Sequence, residues 1–109
     1  MKLFQALRKA NEAGDHDLIM SFYHENFGFV WHQSGTTMNK TEFSAMIANM
    51  DNSGSKAAMS RCIYENDDIL VDHSVTRFPD GSRESVIRVR MIEDGKIIRL
   101  ETGASLMKV

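Results

Sequence analysis

The 109 residues fit one ordinary domain, and 42% apolar with 26% charged residues marks a folded chain, not a disordered one. Thirteen Lys and Arg against fifteen Asp and Glu leave a formal charge of −2, so no basic excess exists for a phosphate backbone and no nucleic-acid partner is expected. The one cysteine, Cys62, excludes an internal disulfide and a cysteine-rich zinc site.

Leu3, Phe4, Leu7 and Ala10 recur every three or four residues and predict a first amphipathic helix. Gly14 is placed to end it in the left-handed conformation, and Asp15 to cap a second helix carrying Leu18, Ile19, Phe22 and Tyr23. With almost no linker between them, the two helices are expected to pair antiparallel. Phe27-Gly28-Phe29-Val30-Trp31-His32-Gln33 changes to the period of a strand. Phe27, Phe29 and Trp31 share one face of it, and Gly28, Val30 and His32 the other. Gly35-Thr36-Thr37 is read as a turn. Asn39-Lys40-Thr41-Glu42 forms a capping box ahead of Phe43, Met46, Ile47 and Met50, which predict a third helix that stops in a polar loop over 51–55.

The second half predicts four strands: Ser60–Tyr64, Ile69–Phe78, Ser85–Ile92 and Lys96–Thr102. Asp80-Gly81 and Asp94-Gly95 are strong hairpin signals, and connections this short make antiparallel neighbours. The expected class is α+β. Three helices cover one face of a strongly curved, mixed or antiparallel sheet in the order α-α-β-α-β-β-β-β, and the cone so formed is open at its wide end.

Ala13-Gly14-Asp15-His16-Asp17, followed by Ile19, Phe22 and Tyr23, resembles the element joining the first two helices of the NTF2-like superfamily. Asp94-Gly95-Lys96-Ile97-Ile98-Arg99-Leu100 resembles the closing hairpin of its SnoaL-like and ketosteroid-isomerase-like branches. The resemblance spans nearly the whole chain and implies a cone-shaped fold with an interior pocket. It also implies a homodimer formed through the convex sheet face. For ketosteroid-isomerase chemistry it implies an oxyanion-binding tyrosine at Leu7, a general base at Trp31 and a second oxyanion donor at Ile87. All three positions are apolar here, and such side chains neither move a proton nor hold an enolate.

Other residues are left to form a site. His73 shares a strand face with Ile69, Val71 and Val75, read as the inward one, while Asp72, Ser74 and Thr76 alternate outward. It is expected either to exchange protons in the cone or to sit in the core bonded to a backbone carbonyl. Trp31, with Phe29 on its face, either stacks on a flat ligand or fills the cone. His32 reaches the mouth if the strand bulges. Tyr23, Arg61, Tyr64, Met46 and Met38 are candidates for the lining. Arg88, Arg90, Arg99 and Glu101 are expected on the outward face as an ion-pair network, beside apolar Val30 and Val86. No metal, nucleotide or other cofactor motif is present, since the histidine spacing fits no chelate and no Gly-rich loop links a strand to a helix.

No apolar run approaches the roughly 18 residues of a membrane span, and Lys2, Arg8 and Lys9 interrupt any secretory core, so a cytoplasmic protein without a membrane partner is expected. The leading expectation is a homodimer binding a small apolar or aromatic ligand. The alternatives are an isomerase, dehydratase or hydrolase using His73 or His32 with Trp31 as platform, and a non-catalytic interaction module with a filled cone.

Overall fold

A computed structural model describes residues 2–54 and 56–108. The first helix, α1 (Lys2–Ala13), turns Phe4, Leu7 and Ala10 into the core, and each large side chain buried this way contributes about 1.5–3 kcal/mol. Gly14 closes it at φ 65°, a conformation glycine adopts without a Cβ penalty. The Asp15 carboxylate then accepts the Leu18 N–H at 3.1 Å and caps α2 (His16–Ser21).

Apolar spacing predicts that α2 runs on through Tyr23, but it ends at Ser21. The Phe22 carbonyl accepts the Ile97 N–H at 2.9 Å, and Tyr23 pairs with Ile97 in the sheet. Sheet pairing captures two residues that local periodicity assigns to a helix. Strand β1 (Tyr23–Trp31) therefore starts earlier than expected.

A second difference follows directly. Residues 36 and 37, read as a turn, belong to a short strand, β2 (Thr36–Asn39), which pairs antiparallel with β1. The reversal between them rests on Gly35 at φ 72°, whose N–H bonds the Trp31 carbonyl at 2.9 Å. Helix α3 (Lys40–Asn52) begins at the expected capping box: Asn39 accepts the Glu42 N–H, and Glu42 accepts the Asn39 N–H, both at 2.9 Å. Helix α3 extends into the stretch expected to be a loop, of which Ser55 lies outside the described residues.

Strands β3 (Lys56–Glu65), β4 (Ile69–Arg77), β5 (Arg83–Glu93) and β6 (Lys96–Leu106) form the expected antiparallel meander. At the last hairpin Asp94 (φ 53°) and Gly95 (φ 75°) are both left-handed, the conformation of a two-residue turn matched to sheet twist. The six strands lie in the order β2-β1-β6-β5-β4-β3, and β1 runs parallel to β6, so the sheet is mixed. The deep end of its helix-covered face is packed solid. Tyr23, Phe27, Phe29 and Phe43 meet with ring centroids 4.8–5.2 Å apart, against Phe4, Leu7, Ile19, Leu70, Ile97 and Leu100.

The expected assignment of faces is reversed on β4 and β5. On β4, Leu70, Asp72, Ser74 and Thr76 are buried on the concave side, and His73 with Ile69 and Val71 lies on the convex side. On β5, Val86, Arg88 and Arg90 point inward and Ile87 and Met91 outward. A period of two says which residues share a face, not which face is covered. Near the cone's mouth the inner set is polar because its members pair with one another.

Candidate functional site

Strand register builds the site as rows across the concave face. Trp31 (β1) lies opposite Thr102 (β6), Thr102 opposite Arg88 (β5), Arg88 opposite Asp72 (β4) and Asp72 opposite Cys62 (β3). One row deeper, Phe29, Leu100, Arg90 and Leu70 follow in the same order, and towards the mouth Val86 lies opposite Ser74. A band of charge and hydroxyls thus separates the aromatic core from the cone's opening.

Asp72 and Arg90 form the centre of the band, with side chains only 10% and 9% exposed. Arg90 Nη1 donates to Asp72 Oδ2 at 2.5 Å. Burial pulls the Arg90 guanidinium down, but the Tyr23 phenol and Asp72 outweigh it and hold the group above its ordinary value. Asp72 Oδ1 and Arg90 Nε, both buried, have no hydrogen-bond partner among the described residues.

Arg88 sits nearer the opening, its side chain 24% exposed. Its Nη1 donates to Ser74 Oγ at 2.6 Å and forms a long ion pair, 3.9 Å, with Asp72 Oδ1. Burial first and the neighbouring Arg90 charge second lower its pKa, against the pull of Asp72. At this depth an additional anion would relieve the repulsion between the two guanidinium groups. Cys62 closes the row as a thiol, pushed up by burial, then by Glu65 and Asp72, which makes it a poor nucleophile.

Of the expected site residues, Trp31, Phe29, Tyr23 and Met46 lie on the concave side. Phe29 and Tyr23 are buried in the core, while Trp31 is half-buried and stacks on Phe29 at 6.2 Å. His73, Arg61, Tyr64 and His32 do not join them. His73 Nδ1 accepts from Arg61 Nε at 3.1 Å, so its proton sits on Nε2 and is donated to Ser85 Oγ at 2.8 Å, the reverse of the polarity that activates a serine. Tyr64 opposes Val71 on the same convex face. His32 is exposed and bonds Glu101 at 2.8 Å beside Arg99. Met38 packs at the core's edge. The position that the resemblance assigns to a second oxyanion donor, Ile87, also faces outward, next to inward Arg88.

Sequence reasoning missed Asp72, Ser74, Arg88, Arg90 and Thr102. The sequence signal pointed one residue off: a two-residue Asp80-Gly81 turn would set Asp72 opposite Val89, whereas the connection over 78–82 centres on Asp80 and sets Asp72 opposite Arg88 and Leu70 opposite Arg90. Elsewhere, one group of potential metal ligands occurs among the described residues: His24, Glu93 and Asp94. His24 Nδ1 already accepts the Asn26 N–H at 3.0 Å, which leaves the proton on the Nε2 that a cation would need. A shallow concavity of about 340 Å³ over Gly28, Thr37, Asn39 and Arg99 lies along β1 and β2, away from the polar band.

No helix among the described residues is long and apolar enough to cross a membrane. No protein-family model matches the sequence, and no curated protein matches it significantly. Solved structures do match in shape. An NTF2-like protein of unknown function from Burkholderia xenovorans superposes with a TM-score of 0.77 at 18% identity, over 97% of this chain and 82% of that one. A proposed ketosteroid isomerase from Kribbella flavida gives 0.79 at 8% identity, over 98% and 76%. A proposed polyketide cyclase from Streptomyces antibioticus gives 0.76 at 14% identity, over 94% and 88%. Mixed sheet, three helices and these superpositions agree: the chain has the NTF2-like fold.

Proposed function

We propose that this protein binds a small molecule at the open end of the cone, with a flat apolar body against Trp31 and a polar group at Arg88. The observation that carries this reading is the charged band itself. A cone that only needed filling would gain more from apolar residues than from Asp72, Arg88 and Arg90, whose desolvation costs several kcal/mol per ion. The solid aromatic core behind the band restricts any ligand to the mouth. Catalysis by a pocket histidine is not favoured, because His73 and His32 both face away from the band.

The convex face supports a second part of the proposal, a homodimer. Tyr64, Met59, Met91 and Ile87 are 39–54% exposed there around His73 and Arg61, an apolar surface of the kind that partners cover.

Trp31 is the only tryptophan, so its emission reports on the site without a label. The amphiphilic probe 1-anilinonaphthalene-8-sulfonate should quench it saturably. Arg88→Met should weaken that binding about tenfold or more, the usual effect of losing a hydrogen bond to a charged group. Unchanged Trp31 emission at saturating probe would overturn the reading.

A further inference from the structure

Asp72 and Arg88 make unequal demands on a ligand. Asp72 Oδ2 is used by Arg90, while Oδ1 is buried, has no hydrogen-bond partner among the described residues, only a long ion pair with Arg88, and can only accept. Arg88 can only donate. Its one side-chain hydrogen bond among the described residues, to Ser74, leaves further N–H groups beside that oxygen. The two groups form an ion pair at 3.9 Å, Oδ1 to Nη1, too long for a hydrogen bond between them. A hydroxyl and a carboxylate on adjacent carbons, whose oxygens sit about 2.7 Å apart, close that gap as a four-membered circuit: hydroxyl to Asp72, Arg88 to carboxylate. The next residue along the row after Thr102 is Trp31, which offers a flat apolar surface to whatever the acid carries. Glu84, four residues further out on β5 and held by Gln33 at 3.2 Å, opposes a second negative charge at the mouth.

On these grounds we infer that the ligand class is an aromatic or otherwise apolar 2-hydroxy monocarboxylate. The inference rests on the cone-binding reading above and narrows it to one arrangement of polar atoms.

Three matched probes test it on the full chain by calorimetry and Trp31 emission: mandelate, phenylacetate, which lacks the hydroxyl, and 1-phenylethanol, which lacks the carboxylate. Mandelate should bind at least tenfold more tightly than either. Arg88→Met, which removes the carboxylate's partner and leaves the hydroxyl's, should bring mandelate down to the affinity of 1-phenylethanol. Removing the hydroxyl from the probe spares Asp72, whose replacement would strand Arg90. Equal affinities for all three, while the naphthalene sulfonate still quenches Trp31, would overturn the ligand class and leave cone binding standing. If the sulfonate fails as well, both fall together.

Discussion

At the residue scale, the Asp72–Arg90 pair shows why a buried charge is judged by its partner. Both side chains are about nine-tenths buried, so neither can turn to water if the other is lost. Asp72→Ala should lower unfolding free energy by about 3–5 kcal/mol, the cost of stranding a buried guanidinium. The double variant Asp72→Leu with Arg90→Met should recover most of it. Urea unfolding of the three proteins measures both, and a double variant as unstable as the single one would mean that packing, not charge, holds this position. The exposed trio on the other face behaves differently. Arg99 first and His32 second hold the Glu101 carboxyl below its ordinary value, so their contacts weaken as pH falls through that lowered value. Water screens this group, and its effect on stability is small.

At the element scale, Glu65 ties together distant parts of the chain. From the end of β3 its carboxylate accepts the Leu3 N–H at 2.9 Å and the Phe4 N–H at 3.3 Å, capping α1 in place of a local side chain. Glu65→Ala should cost about 1 kcal/mol, as lost caps do, and should speed amide exchange in α1 before the sheet is affected. Uniform exchange through both would show that α1 does not open separately. This cap could not be read locally, since 61 residues separate Glu65 from Phe4. The Asn39 capping box and the Asp94-Gly95 turn were legible because their chemistry is complete within four residues. Strand β2 was hidden by a glycine that marks a turn equally well inside a hairpin. The polar band was hidden because alternation is symmetric: Ile69, Val71 and Val75 look like an inner face until Asp72 is known to meet Arg90. Half of the candidate site was therefore visible as aromatic residues on β1. The half that carries charge required register.

At the scale of the molecule, the same inversion leaves an apolar convex surface, on which the proposed self-association depends. Ile87→Glu places a carboxylate at its centre, opposite His73, without touching the concave band. Sedimentation should show a dimer for the parent chain and a monomer for the variant, with Trp31 quenching retained; a parent that sediments as a monomer removes the dimer and leaves the site intact. The mixed sheet also sets an order of assembly. Strands β3 to β6 join neighbours through short turns, whereas β1 finds its parallel partner about 70 residues away, Gly28 beside Arg99 and Trp31 beside Thr102. Bridging such a span is slow relative to zipping a hairpin. During synthesis β1 has β2 and Phe43 of α3 to pack against before β6 has been made, and in that interval its other edge is open to aggregation and to chaperones.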